Sequence, residues 1–143
     1  MSDILSTFVV EIKNHLHNLI NFIVMTTCVY NRNGHVTAFL TDDSVYDSKG
    51  RHRLWIQGIN LYNEKGCHVG WIEGGVLYDS HNDVLGFTAN HTKSLPSHPG
   101  LCGNPGFPGL SSLPGKPGFS GIPGRPGYGG WSSMLLEDYL SHI

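Results

Sequence analysis

Charge is the first thing this sequence has little of. Lys, Arg, Asp and Glu together make up 14% of its 143 residues, and the formal net charge is −2. A chain so weakly charged has no long-range field to steer nucleic acid or an anionic membrane, so neither is expected as a partner. Cysteine is scarce as well: Cys28, Cys67 and Cys102 are odd in number and lack CxxC spacing. That pattern reads as reduced thiols in a reducing compartment, with a single disulfide left open because the spacing selects no pair. Long hydrophobic runs are missing too. The longest apolar stretch, Phe22 to Tyr30, is far too short to cross a bilayer. Near the start, Asp3, Glu11 and Lys13 interrupt the apolar residues and no basic stretch precedes them, so no secretory signal is read there. The expectation is a soluble, cytoplasmic protein with no membrane span.

The signatures of catalysis are also lacking. A nucleophile needs a base and an oxyanion donor beside it, and no GxSxG or comparable local motif occurs. The carboxylates Asp42, Asp43, Glu73 and Asp83 fall in or near turns, and the glycines open strands or form triplets instead of cradling a phosphate at a helix start. The chain is therefore read as no enzyme and as needing no cofactor.

What is present is a repeat. Tyr30, Tyr46, Tyr62 and Tyr78 stand 16 residues apart, each after an aliphatic residue and before an Asx: Asn31, Asp47, Asn63, Asp79. Three residues after the Asx comes Gly34, Gly50, Gly66 or Asn82, and five further on an aromatic, Phe39, Trp55, Trp71 or Phe87. Asx opens a type I turn through its own following backbone, and Gly or Asn supplies the left-handed residue that closes it. Each copy therefore predicts a hairpin, and a second polar or Gly-rich turn (Thr41 to Asp43, Gln57-Gly58, Glu73 to Gly75, Ala89-Asn90) ends it. The fold class expected is mainly β: four 16-residue hairpins in a pseudo-four-fold meander of about eight strands, over residues 28–92. Ala38, Leu54, Gly70 and Gly86 share one face with Leu40, Ile56, Ile72 and Thr88, and small residues there suggest crowding at an axis.

Two different textures flank the repeats. Leu5, Val9, Ile12, Leu16, Leu19 and Ile23 form an a/d seam, which predicts an amphipathic helical extension over residues 1–27, lying on the β domain or pairing with another copy. After a linker, 93–99, Gly recurs every third residue from Gly100 to Gly130, with one break at Ser112 and Pro in most third positions. Such a chain is expected in polyproline II form, with one Gly face, one Pro face and one row of large apolar side chains, among them Leu101, Phe107, Leu113, Ile122 and Tyr128. It can pack on protein or form a trimeric collagen-like stalk. In the last segment, 131–143, Ser132 or Ser133 is expected to cap a short helix burying Met134, Leu135, Tyr139 and Leu140.

The four Tyr-Asx-x-x-Gly hairpins resemble the four-fold beta flower domain, a bacterial repeat domain, over roughly residues 28–143. The resemblance implies a tail of triplets, a Ser-Trp-Ser-like segment (here Gly130-Trp131-Ser132-Ser133) and an acidic, aromatic helix (Glu137-Asp138-Tyr139). It implies a fold and no activity. The present chain departs from the pattern in its N-terminal extension and in far Gly-richer triplets.

Of the nine histidines, His15 and His17 would point to opposite sides of a helix, whereas His52 and His68 lie near successive turns. Converging at an axis they could bind zinc with Cys67; spread out, they are solvated turn residues. No metal is expected. The binding candidates are Phe39, Trp55, Trp71 and Phe87, which fall on one face of the hairpins and suit either a symmetric core or stacking on a ligand. Two functional expectations follow. One is a non-catalytic scaffold whose β domain and tail mediate packing or self-assembly, with a homo-oligomer or another protein as partner. The other is a binding module that captures a peptide or glycan on the repeat aromatics.

Overall fold

A computed structural model describes residues 26–143 of the protein. The expected helical extension, apart from its last two residues, lies outside them. Eight antiparallel strands follow in chain order: β1 Thr27–Tyr30, β2 Val36–Leu40, β3 Ser44–Asp47, β4 His52–Gln57, β5 Asn60–Tyr62, β6 His68–Glu73, β7 Val76–Tyr78 and β8 Val84–Phe87. Each pairs with the next, and β1 returns to β8 through Tyr30 opposite Phe87, closing a barrel. Their rings stack across this seam at 5.7 Å. The sequence predicts the meander, and closure is what removes its two exposed edges.

The hairpins form for the reason their spacing suggests. Asn31 Oδ1 accepts from the N–H groups of Asn33 and His35, at 2.9 and 3.1 Å. Asp47 Oδ1 does the same for Lys49 and Arg51, Asn63 for Lys65 and Cys67, and Asp79 for His81 and Asp83. The residue that closes each turn has positive φ: 80° at Gly34, 81° at Gly50, 85° at Gly66 and 64° at Asn82. The ladder register slips just before each turn, between Val29 and Tyr30 and at the three equivalent pairs. This is the bulge that such a turn imposes on its hairpin.

Alternation along the strands sends Val29, Ala38, Val45, Leu54, Leu61 and Leu77 inward, all fully buried. A single helix among the described residues, α1 (Leu136–His142), adds Leu136 and Leu140 to the same cluster. Gly86 belongs to this arrangement, because a Cβ there would come within 2.9 Å of Leu136 Cδ2 and 3.2 Å of Val29 Cγ1. The crowding expected at the small residues is real: at Gly86 it comes from the Tyr30 carbonyl, 2.7 Å from such a Cβ, as well as from the helix, and at Gly70 from the Tyr78 carbonyl.

The start of α1 differs from the expectation. Leu135 is the N-cap and makes no side-chain cap bond. Ser132 Oγ instead donates to Asp79 Oδ2 at 2.6 Å, so the turn of the fourth copy holds the hydroxyl that was to cap the helix. Met134 is exposed, and Leu136 replaces it in the core. Asn31 Nδ2 reaches Glu137 on the same helix at 3.1 Å. The outer atoms of two Asx turns thus fix α1 on the barrel.

Residues 100–130 have neither helix nor strand and run along the barrel of their own chain. They visit the four hairpin turns in order. Cys102 N donates to Gly34 O at 2.9 Å, Ser111 N to Gly50 O at 2.8 Å and Ser120 N to Gly66 O at 2.8 Å. At the fourth turn Val84 N donates to Gly130 O at 2.7 Å, and Asn82 Nδ2 to Pro126 O at 2.8 Å.

Candidate functional site

The seam between barrel and tail brings together most of the residues singled out by the sequence. Its geometry is set by two periods. Barrel stations recur every 16 residues and tail stations every nine, so three triplets advance the tail by one hairpin. Backbone meets backbone at each station, since the carbonyl groups of Gly100, Gly109 and Gly118 occupy the space that a Cβ at Gly34, Gly50 or Gly66 would need. Those hairpin glycines therefore serve twice: once for positive φ and once for the approach of the tail.

Phe39, Trp55, Trp71 and Phe87 lie beneath this tail, each no more than 2% exposed. Their covers also recur every nine residues. Phe107 tilts against Phe39 with centroids 5.5 Å apart, Lys116 Nζ lies 5.3 Å from the Trp55 ring, and the Arg125 guanidinium lies 5.6 Å from Trp71. Phe87 is covered differently, by Tyr30, His91, His98 and Trp131. Trp131 in turn donates from Nε1 to Ser97 Oγ at 2.9 Å, tying linker to tail. Lys116 and Arg125 were not singled out from the sequence. Their signal is two cations nine residues apart in an otherwise apolar, glycine-rich run.

Arg125 is the most heavily used of these tail residues. It also faces Tyr78 at 4.9 Å and donates to Asn82 Oδ1 at 2.8 Å and Glu73 Oε1 at 3.0 Å. Burial raises the Tyr78 hydroxyl above its usual range, an effect the neighbouring guanidinium reduces. On the adjacent tail residue of the third station, Phe119 stacks on Tyr62 at 4.3 Å.

The histidines do not converge. His52 Nε2 pairs with Ser44 Oγ and His68 Nε2 with Asn60 Oδ1, both at 3.0 Å, so each ring is held by the strand start of its own copy. Their backbone N–H groups donate to Ser111 Oγ and Ser120 Oγ of the tail. Burial lowers the pKa of both rings and favours the neutral form, with Glu64 opposing this at His52. Cys67 is exposed, and among the described residues no group of three or more His, Cys, Asp or Glu could hold a metal ion. Cys28 is half-buried, which raises its thiol pKa against a bond from Asn104 that lowers it.

Where the triplets break at Ser112, the tail leaves a groove of about 480 Å³ walled by Tyr46, Leu110 and Leu113 beside Asp42 and Asp43. The outward row of the tail is apolar: Leu101, Phe107, Leu113, Ile122 and Tyr128 are between 45 and 60% exposed. No helix among the described residues is long and apolar enough to cross a membrane.

These features define an all-β repeat protein whose closed barrel is clasped by its own glycine-triplet tail. The chain belongs to the 4-fold beta flower family, whose description, 4-fold beta flower protein, matches residues 15–69 and 27–140. Neither the curated proteins nor the solved structures contain a match to it.

Proposed function

We propose that this protein is a non-catalytic structural module, in which barrel and tail form one unit that presents an apolar belt to other copies or other proteins. The observation that carries the reading is the register of the seam. The tail spends its glycines and its nine-residue covers on the barrel, yet leaves Leu101, Leu113, Ile122 and Tyr128 facing outward, with the far side of Phe107 beside them. Large apolar side chains held in a row on a fixed support are what an interaction surface needs. In this reading the tail runs as a polyproline II-like strand and the assembly is a homo-oligomer. The setting is a bacterial cytoplasm that keeps Cys28, Cys67 and Cys102 reduced.

A second reading, capture of a peptide or glycan on Phe39, Trp55, Trp71 and Phe87, is favoured by one fact. Three of them, Phe39, Trp55 and Trp71, already hold an extended peptide, the chain's own tail, so a competitor of similar chemistry has a ready surface once the tail is displaced.

Light scattering after size exclusion tests both, on the full chain and on a version ending at Ser97. The structural reading expects a defined oligomer for the full chain and altered assembly or lost solubility for the shortened one. A full chain that stays monomeric at all concentrations overturns self-assembly. A shortened chain that stays soluble and binds a synthetic 100–130 peptide favours the capture reading.

A further inference from the structure

We propose that the protein holds a binding site for a small tetrahedral oxyanion, phosphate or the phosphoryl group of a small ester, between the turn of the second hairpin and α1. A cavity of about 150 Å³ lies there, lined by Thr37, Lys49, Arg51 and Arg53. The repeat itself shows that the hairpin does not need these cations. At the positions of Lys49, Arg51 and Arg53, the first copy has Asn33, His35 and Thr37, the third Lys65, Cys67 and Val69, and the fourth His81, Asp83 and Leu85. All four copies make the same turn, and only the second gathers three cations on it.

The carboxylates of the cavity leave part of this charge unmatched. Asp47 Oδ2 is shared by Arg53 Nε at 3.1 Å and Arg51 Nε at 3.5 Å. Burial pushes the Asp47 carboxyl up, and the Arg51 N–H, the Arg53 guanidinium and the Lys49 N–H more than offset this, leaving its pKa below the usual value. Glu137 also lines the cavity, but its two oxygens receive Asn31 Nδ2. Three positive side chains thus stand against two negative ones, each already engaged. Thr37 Oγ1 is buried without a hydrogen-bond partner among the described residues, and a hydroxyl left so is costly. An oxyanion would accept its proton, pair with the free ends of the guanidinium forks and reach Lys49 and the Ser48 hydroxyl. The volume suits a single phosphoryl group and is well below what a nucleotide-sized ligand fills.

The test is an amide NMR titration of the full chain with inorganic phosphate, against sodium chloride at matched ionic strength, repeated with glycerol 2-phosphate. Saturable shifts confined to Thr37 and Lys49 to Arg53 are expected with phosphate and not with chloride. Tighter binding of phosphate assigns the free ion, and tighter binding of the ester assigns a phosphorylated small molecule. Arg53→Met should weaken binding about tenfold or more, the loss of a charged hydrogen-bond donor. Thr37→Val, which keeps shape and leaves the ion pairs alone, should weaken it with the fold unchanged, and Lys65→Met on the third copy should not. Equal shifts with chloride, shifts spread over the other lysines, or unchanged binding in Thr37→Val and Arg53→Met would overturn the site.

Discussion

Gly66 and Gly118 meet backbone to backbone. Gly66 takes a φ of 85°, accepts Ser120 N–H at 2.8 Å, and leaves the carbonyl of Gly118 the volume that its own side chain would fill. Gly66→Ala therefore strains the turn and expels the tail at one station. The expected loss is about 1–3 kcal/mol from backbone strain alone, with more from the collision. Gly58 supplies the control: it also has positive φ, at 63°, but nothing lies within 4 Å of its absent Cβ. Urea unfolding should show Gly66→Ala costing clearly more than Gly58→Ala. Equal costs would mean that the tail does not occupy this station in solution.

Arg125 fastens the tail near its last station through Asn82, Glu73 and two aromatic faces. Arg125→Ala should lower stability by about 1–3 kcal/mol and raise proteolytic cutting within 100–130. Lys116→Ala removes only a contact with Trp55 and should cost less. Thermal melts of the two variants, read beside limited proteolysis, check the order.

Burial lowers the pKa of His52 and His68, so folding favours their neutral forms. The stability this contributes is present above the ordinary histidine value of about 6.5. It is lost as pH falls through their depressed values. Denaturation midpoints should therefore drop on the acid side of that value, and His68→Gln should flatten the drop. A midpoint independent of pH across that window would contradict the burial.

On the alkaline side the group to watch is Tyr139. Burial, with the nearby Asp79 carboxylate, pushes its hydroxyl up to about 12, and it donates to the Val69 carbonyl beneath α1. Its neutral form is favoured on folding, so the stability is complete below the ordinary tyrosine value of about 10. It disappears as pH rises towards 12. Ultraviolet titration should find one tyrosine ionising last, together with release of the helix, and Tyr139→Phe should remove that step.

The barrel was legible because its signal is chemical as well as periodic. Tyr30, Tyr46, Tyr62 and Tyr78 fix the interval, and Asn31, Asp47, Asn63 and Asp79 each satisfy a turn by local hydrogen bonds that need no tertiary context. Closure was not legible, since the pairing of Tyr30 with Phe87 joins the ends of the repeat and no local pattern encodes it. The tail hid its stations for a different reason. Its period of three is visible, but the period of nine is carried by Phe107, Lys116 and Arg125, which share a place and not a chemistry. The cap of α1 was misplaced because Ser132 answers to Asp79, 53 residues away, and not to the helix it precedes.

The clasp also orders events in time. Ribosomes deliver the hairpins before the triplets, and the tail has no landing place until several hairpins stand side by side. A nascent chain released only as far as residue 97 would carry Phe39, Trp55 and Trp71 without their covers, a sticky half-finished vessel awaiting its strap. Synthesis of the triplets is thus the step that seals those aromatics.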